Sequence, residues 1–166
     1  GPRVLQALTS ARLLLKIATW NVNSLAVRLP QLLDWVAANP VDAIVLQETK
    51  LTDDKFPAAA IEAAGYHAQW FGQKTYNGVA LLSRSPAAEV QRNIQGFADE
   101  SARVIAATVQ GIRVVGAYFP NGQAPGTDKF AYKMAWLEGL RTWLADELRR
   151  HPRLVLLGDF NIAPED

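Results

Sequence analysis

A stretch near the end of the sequence constrains the fold more than any other. Residues 154–157 are four consecutive apolar side chains between a proline and a glycine, the pattern of a short strand buried on both faces. Asp159 and Asn161 follow, and alternation along an extended backbone points both side chains to one side. A carboxylate at the rim of an apolar core is costly unless it is paired, hydrogen-bonded or metal-bound. The pattern predicts either a polar site or a turn in which these side chains bond nearby backbone.

Composition limits the class of protein without identifying it. The 166 residues are 49% hydrophobic and 20% charged, as expected for one globular domain with a sizeable core. Zero cysteines exclude disulfides and thiolate zinc sites. No apolar run approaches the roughly 18–20 residues of a membrane helix. A net charge of +1 neither predicts nor excludes a nucleic-acid partner.

The first residues are expected to precede the folded domain. Gly1 and Pro2 are typical of a protease-cleavage scar, and residues 3–16 are leucine-rich with no acidic side chain. The segment resembles a targeting presequence only weakly. We therefore predict a leading tail or short helix over residues 1–14 and one domain over residues 15–166.

The remaining pattern predicts an α/β fold. Residues 13–20 and 43–46 form apolar runs joined by a helical pattern, which indicates a βαβ-like unit. Residues 104–109 and 112–119 flank a Gln-Gly turn and predict a hairpin, so the sheets are expected to be mixed or antiparallel. We expect six or seven strands and two substantial helices. The second helix, ending near Arg150, is expected to bury a stripe comprising Phe130, Met134, Leu137, Leu140, Leu144 and Leu148.

Three predicted buried strands end in polar residues. Asn21 and Asn23 follow the first, Glu48 follows the second, and Asp159 and Asn161 end the last. If these strands are neighbours, the side chains converge into a carboxylate and amide site. Hard oxygen ligands without cysteine favour Mg²⁺ or Mn²⁺ over zinc. The implied chemistry is metal-assisted attack of water on a phosphate ester.

Five strings in this order resemble the exonuclease III family of abasic-site (AP) endonucleases, within the endonuclease–exonuclease–phosphatase superfamily. They are residues 18–24, 46–50, 76–83, 117–122 and 157–164. The resemblance implies a two-layer α/β sandwich, four-layer αββα in the full family, of which this chain holds about the first half to two-thirds. The domain is therefore expected to be incomplete at its C-terminal end.

The resemblance also implies a function. A family member would be a bacterial, nucleoid-associated cytoplasmic enzyme that hydrolyses DNA phosphodiesters at abasic sites and 3′ ends, with Mg²⁺ that Mn²⁺ can replace. Its partner would be double-stranded DNA. Two alternatives stay open: a superfamily phosphatase acting on lipid or small-molecule phosphates, and an inactive fragment that only binds DNA or assembles with another chain. Pairing of two copies through an exposed face is a further expectation.

The resemblance assigns the central roles. Glu48 would be the principal Mg²⁺ ligand, with Asn21 beside it. Asp159 would orient or deprotonate the attacking water, and Asn161 would hold the phosphate or the nucleophile. Tyr118 would donate its hydroxyl to the scissile phosphate.

Other positions have supporting roles. Asn121 is expected to support a DNA-facing loop, and Lys133 to contact phosphate or to be a solvated lysine on a helix. Arg103 matches a position near the floor of the site, where substrate binding and a structural salt bridge are the alternatives. Asn23 and Gln47 are expected to support the ligands without holding the metal.

The chain lacks the string that supplies a catalytic histidine in the family. That histidine belongs to an Asp-His pair in the C-terminal part of family members. His67 and His151 are the two histidines of this chain, and neither lies in a matching string. Both are predicted to be structural.

Overall fold

The structure is a computed structural model that describes residues 1–8 and 14–162. The strands and α-helices are β1 (Arg3–Leu8), β2 (Leu14–Asn21), α1 (Leu25–Ala38), β3 (Ala43–Gln47), α2 (Ala58–Ala63), β4 (His67–Phe71), β5 (Val79–Ser83), β6 (Ala88–Arg92), β7 (Val104–Val109), β8 (Ile112–Tyr118), α3 (Asp128–Arg150) and β9 (Leu154–Asp159). A 3₁₀ turn lies at Asp53–Lys55.

The strands form two mixed sheets, which confirms the predicted α/β class. The first has the order β1-β2-β3-β5-β4 and the second the order β6-β7-β8-β9. One pair in each sheet is parallel, β2 with β3 and β8 with β9. Parallel neighbours need a crossover connection, and α1 and α3 supply the two crossovers. Each sheet therefore contributes one βαβ unit to the molecule.

Three apolar cores separate four layers. Leu32 of α1 packs with Ile44 on the outer face of the first sheet. Val45 and Val114 belong to the core between the two sheets. Trp136 of α3 lies in the core on the outer face of the second sheet. The αββα order that the resemblance implies for the full family is thus present within this chain.

The two sheets approach each other closely at Gly116 of β8. A Cβ atom added there would lie 3.0 Å from Cβ of Val45 on β3. Ala43 and Ala107 belong to the same core and are also small. The distance between the sheets is therefore set by small side chains, since even a methyl group at Gly116 would require adjustment.

Three expectations about elements need correction. Residues 3–8 form β1, antiparallel to β2, instead of a tail or helix. The pairing satisfies backbone groups along the edge of β2. The expectations for residues 9–13 lie outside the described part of the chain. The sequence pattern predicts Pro30 in the first turn of the first helix, but α1 begins at Leu25, where Ser24 caps it, so Pro30 lies inside the helix. β6 was not predicted, because it is an irregular strand with no buried residue.

The predicted apolar stripe of α3 is correct only in part, because Leu140 is buried and Leu137 and Leu144 pack against the core, but two other members are exposed. Met134 and Leu148 are 50% and 52% exposed. The buried residues of α3 are Trp136, Leu140, Trp143 and Glu147, of which the sequence pattern predicts only Leu140. The two indole rings provide more apolar area than leucines, and they select the face that packs against the sheet. Within the described residues, no helix is long and apolar enough to cross a membrane.

Candidate active site

The polar strand ends meet at one edge of the molecule, here called the site edge. Asn21 and Gln47 are paired at the ends of the parallel strands β2 and β3. Tyr118 and Asp159 are paired at the ends of β8 and β9. The side-chain amide of Asn21 donates a hydrogen bond of 2.8 Å to Oδ2 of Asp159, which joins the two sheets. The predicted convergence of strand ends is therefore present.

Glu48 occupies the first position after β3. Its carbonyl accepts a 2.8 Å hydrogen bond from the Ser24 amide, so the loop after β2 lies beside it. The Tyr118 hydroxyl donates a 2.9 Å hydrogen bond to Oε1 of Glu48. Burial raises the pKa of Tyr118 to about 12, and the Glu48 carboxylate contributes to the increase. The Tyr118 hydroxyl therefore stays protonated at neutral pH and can act as a donor.

Asp159 is held by donors on both carboxylate oxygens. Oδ2 accepts from Asn21, and Oδ1 accepts from the backbone amide of Asn161 at 2.9 Å. The Asn161 side-chain amide donates to the Phe119 carbonyl at 3.0 Å. Both sequence interpretations are thus present, because a local turn and a long-range contact fix the same carboxylate.

Left-handed backbone recurs among the polar residues of the site edge. The φ angles are 43° at Asn23, 55° at Glu48, 57° at Lys50 and 52° at Asn161. This conformation costs about 1 kcal/mol for a residue with a Cβ atom, and such strain is concentrated at functional sites. The surrounding fold therefore holds these side chains in directions that relaxed strands would not provide.

Gly158 permits the close approach of β9 to β8 just before Asp159. Its φ is +149°, and an added Cβ would lie 1.9 Å from the Ala117 carbonyl oxygen. A side chain at this position would clash with backbone that cannot rotate away. Glycine at 158 is thus a steric requirement for placing Asp159.

Asn23 and Gln47 support the site without lying at its centre. Gln47 is 1% exposed, and its amide donates to the Thr19 hydroxyl at 3.0 Å. The Asn23 backbone amide donates to Oδ1 of Asn21 at 3.0 Å. The Lys50 ammonium donates to Oδ1 of Asn23 at 2.6 Å, which adds a cation that the sequence analysis did not assign. The position of Lys50, two residues after Glu48, is the sequence feature that could have indicated its place in the site.

Arg103 lies beneath Tyr118. Its guanidinium donates to the Tyr118 carbonyl at 3.2 Å, and its central carbon lies 5.1 Å from the centre of the Tyr118 ring. It also donates to the hydroxyl of Tyr132 at 3.1 Å. Arg103 is therefore in contact with aromatic side chains and a carbonyl. The structure gives it no carboxylate partner within the described residues, so the salt-bridge alternative is not supported.

Two other expected substrate-binding residues, Asn121 and Lys133, make only local contacts among the described residues. Asn121 is exposed, and its Oδ1 accepts from the Gln123 amide at 3.4 Å. Lys133 packs its aliphatic stem against Gly122, where an added Cβ would lie 2.6 Å from Cδ of the lysine. Neither residue is hydrogen-bonded to the Glu48 or Asp159 carboxylate in the described part of the chain. Their roles therefore stay predictions.

Both histidines lie away from the site edge. His67 is exposed at the opposite end of the sheet, since it pairs with Ser83 while the other end of the same strand pairs with Val79. His151 follows α3 and lies 3.7 Å from Glu89. Neither histidine therefore lies with the site residues, and the structural roles stay predictions.

A cleft opens beside the joined pair of Asn21 and Asp159. Its volume is about 560 Å³, and Arg3, Gln47 and Asn161 also line it. It is thus large enough for a phosphate and part of its ester, and an arginine lies on its wall.

The residues of the site edge provide oxygen ligands of the kind Mg²⁺ prefers. They include two carboxylates, Glu48 and Asp159, and the amide oxygen of Asn21. Within residues 1–8 and 14–162, no group of three or more His, Cys, Asp or Glu side chains is arranged so that it could hold a metal ion. Mg²⁺ usually needs only one or two protein carboxylates because it keeps several waters. The set therefore fits Mg²⁺ better than zinc.

Comparisons with known proteins agree with this geometry. The model of the endonuclease/exonuclease/phosphatase family matches residues 18–166. Exodeoxyribonuclease III from Haemophilus influenzae is 32% identical over 161 residues, covering 92% of this chain and 59% of the relative. A Neisseria 3′ phosphatase solved with a product DNA hairpin is 54% identical with a TM-score of 0.88, covering 92% of this chain and 60% of that one. An AP endonuclease from Archaeoglobus fulgidus is 37% identical with a TM-score of 0.83, covering 91% and 59%.

The chain therefore belongs to the endonuclease/exonuclease/phosphatase family. The resemblance to exonuclease III and the AP endonucleases, stated from five strings, is confirmed by relatives of both names. The chain spans about 60% of the length of the relatives it matches.

Proposed function

We propose that this chain carries catalytic groups of a DNA-repair nuclease of the exonuclease III type, which hydrolyses phosphodiesters at abasic sites and 3′ ends with Mg²⁺. One observation carries the proposal. Two carboxylates from different sheets, Glu48 and Asp159, lie at one edge and are each oriented by a donor from another strand. Structural stability alone does not require such an arrangement, which includes left-handed backbone at Glu48.

Asp159 is proposed to orient or deprotonate the water that attacks phosphorus. Its two oxygens already accept hydrogen bonds from Asn21 and Asn161, which fix the carboxylate plane. Because the carboxylate is fixed in this way, we propose that positioning of the water is the larger part of its contribution. Asn161 is proposed to hold the phosphate or the water from the same strand end.

Tyr118 is proposed to donate its hydroxyl to a non-bridging phosphate oxygen. Negative charge increases on these oxygens in the transition state, where a fixed donor stabilises it most. The raised pKa keeps the proton on the hydroxyl across the neutral range. In the structure this proton is shared with Glu48, so substrate binding would exchange one oxygen acceptor for another.

Glu48 is proposed to hold Mg²⁺, with Asn21 beside it. The metal would supply charge that stabilises the phosphate oxygens and the leaving group. The oxygen ligands described above fit this role, and Mn²⁺ can be expected to substitute because it accepts the same ligands.

Removal of a terminal 3′ phosphate from DNA is a second candidate activity. The Neisseria relative, 54% identical, is described as a 3′ phosphatase bound to a product DNA hairpin. The same water, metal and donors would act on a phosphate monoester. Tyr76 and Lys74 are exposed on the loop that precedes β5. This loop leads to the site edge, because Val79, the first residue of β5, pairs with Gln47. An aromatic ring and a cation there favour a nucleic acid over a lipid as the substrate.

The experiment compares three labelled DNA duplexes, with an abasic site, a recessed 3′ hydroxyl or a 3′ phosphate, each with Mg²⁺ and with chelator. A phosphoinositide is the fourth substrate, for the lipid alternative. Asp159→Asn is expected to abolish turnover of the preferred substrate. Asp146→Asn is the matched control, since Asp146 is a surface carboxylate on α3 paired with Arg149.

Turnover that survives Asp159→Asn would contradict the proposed role of this carboxylate. Binding of DNA without turnover in the unsubstituted chain would favour the alternative of a binding fragment. In that case the same substitutions would be introduced into a chain of the relatives' full length.

Pairing of two copies also stays a proposal. Among the described residues β9 pairs only with β8, and Leu154, Val155 and Leu156 are half-buried. An apolar edge strand of this kind is able to pair with a second chain. If the chain sediments as a monomer at a protein concentration of roughly tens of micromolar, dimer formation is contradicted.

A further inference from the structure

Arg103 is held between two tyrosine rings. Its central guanidinium carbon lies 5.1 Å from the centre of the Tyr118 ring and 5.6 Å from that of Tyr132. Its Nη1 donates to the Tyr118 carbonyl at 3.2 Å, and its Nε donates to the Tyr132 hydroxyl at 3.1 Å. The Tyr118 amide donates in turn to the Arg103 carbonyl at 2.7 Å. The guanidinium plane thus supports one face of the Tyr118 ring.

The orientation of Arg103 depends on a second pair of residues. The Tyr132 hydroxyl donates to Oδ2 of Asp99 at 2.7 Å. This bond directs the hydroxyl proton towards Asp99 and leaves an oxygen lone pair to accept from Arg103. Asp99 therefore sets the direction in which Tyr132 receives the guanidinium. Both side chains are partly buried, where such hydrogen bonds are less exposed to water.

The loop that carries Asp99 and Arg103 is anchored by a buried asparagine. Asn93 is 8% exposed, and its Oδ1 accepts from the backbone amides of Arg103 and Val104. Its amide donates to the carbonyls of Asp99 and Ser101. The Asn93 side chain thus makes four hydrogen bonds, which fix the loop relative to β7. The Asp99 carboxylate is therefore held at a fixed distance from α3, where Tyr132 lies.

We propose that Tyr132 and Asp99 are positioning residues that hold Arg103 against Tyr118 and thereby aim the Tyr118 hydroxyl at the substrate phosphate. This inference rests on the proposed function, because the aim matters only if Tyr118 donates to phosphate. The chain of contacts runs from a loop and a helix on the second sheet to the ring of Tyr118, whose hydroxyl reaches Glu48 on the first sheet. Loss of the Tyr132 hydroxyl would free Arg103 to tilt without removing any group that touches substrate.

The kinetic test uses Tyr132→Phe, which keeps the ring and removes the hydroxyl. We expect kcat to fall about tenfold while KM changes less than about twofold, since orientation of a catalytic donor affects the transition state more than binding. Asp99→Ala is expected to have the same effect, and Asp99→Asn a smaller one because its carbonyl can still accept. The double variant Tyr132→Phe/Asp99→Ala should be no worse than either single variant, since the two act through one contact.

Tyr66→Phe is the matched control. Tyr66 is a buried tyrosine whose hydroxyl donates to the Val41 carbonyl at 2.7 Å, in the core beneath α1. Its loss should lower the melting temperature without lowering kcat. If Tyr132→Phe lowers the melting temperature as Tyr66→Phe does and leaves kcat unchanged, its role is structural and the proposal is wrong.

A spectroscopic readout separates this inference from the proposed function. The chain has four tyrosines, so protein labelled with ¹³C at the tyrosine hydroxyl carbon gives few signals, each assigned by a Tyr→Phe variant. Tyr132→Phe and Asp99→Ala should shift the Tyr118 signal, and Tyr66→Phe should not. An unmoved Tyr118 signal would overturn the positioning role even in an active enzyme. A shifted signal in a chain without turnover would support it while the proposed function itself fails.

Discussion

The side-chain amide of Asn21 on the first sheet donates a 2.8 Å hydrogen bond to the Asp159 carboxylate on the second sheet. The two residues are 138 positions apart in the chain. The contact therefore exists only after both sheets have formed and packed. It makes the geometry of the proposed nucleophile-positioning carboxylate depend on the packing of the whole domain.

Removing this contact should impair catalysis more than folding. Asn21→Ala deletes a donor to Asp159 and an oxygen that is proposed to lie beside the metal ligand Glu48. We expect turnover to fall at least about tenfold, the usual effect of losing a side chain that orients a metal-site ligand. Thermal unfolding should change little because Asn21 lies at the rim. Asn23→Ala is the comparison, and an equal loss of turnover in both would contradict the special role of Asn21.

Gly158→Ala should destabilise the domain and displace Asp159. The new Cβ would lie 1.9 Å from the Ala117 carbonyl oxygen, so β9 must move away from β8. We expect a loss of about 3 kcal/mol, combining overpacking with backbone strain, measured by urea denaturation. Gly65→Ala is the control, since its φ is also positive but nothing lies within 4 Å of the added atom. Equal losses in both variants would show that strain alone is responsible.

Removal of one charge from the buried ion pair between Arg113 and Glu147 should strongly destabilise the protein. Nε of Arg113 lies 2.8 Å from Oε2 of Glu147, and the side chains are 4% and 2% exposed. Glu147→Gln leaves the guanidinium buried without its counter-charge, which should cost about 3 kcal/mol in the free energy of unfolding. Glu138→Gln breaks an exposed pair on the same helix and should leave the denaturation midpoint unchanged. Nη1 of Arg113 also donates to the Glu89 carbonyl at 2.7 Å and to the Thr108 hydroxyl at 3.2 Å. A small effect of Glu147→Gln would contradict the prediction and mean that these acceptors are sufficient for the buried guanidinium.

Alkaline pH should destabilise the protein partly through Tyr66. Burial raises the pKa of Tyr66 above the value of its unfolded state, so folding favours the neutral hydroxyl. Its contribution to stability is complete below the unfolded pKa near 10 and decreases as pH rises through the folded pKa. Between about pH 9 and about pH 11, Tyr66→Phe should therefore lose less stability than the unsubstituted chain. Urea midpoints at both pH values measure this, and equal losses would contradict it.

The sequence predicted the elements that depend on local pattern. Apolar runs, and the proline, glycine and polar residues that bound them, predict the strand before Asp159, the crossover helices and the mixed sheets. The same runs predict that the strand ends converge. The resemblance then provided roles for Glu48 and Tyr118 that spacing alone does not provide. Each of these motifs spans only a few neighbouring residues, so it can be recognised from the sequence alone.

What sequence could not predict depends on contacts between distant segments. The sequence pattern predicts a helix at Tyr132 but no role for it, since nothing in its neighbours indicates that it meets Asp99 and Arg103. The buried face of α3 was assigned to leucines because their spacing is regular, whereas Trp136 and Trp143 match the surface of the sheet. The sequence pattern predicts a tail or short helix over residues 3–8, because no motif indicates their pairing with β2.

The close contact between Gly116 and Val45 has a consequence for the two halves of the site. Glu48 is carried by the first sheet and Asp159 by the second, so no covalent geometry fixes the separation of the two carboxylates. The distance between the two carboxylates therefore depends on the size of the side chains packed between the sheets. Substitutions in this interior, far from any substrate, would thus change the distance between the proposed metal ligand and the proposed water-binding carboxylate.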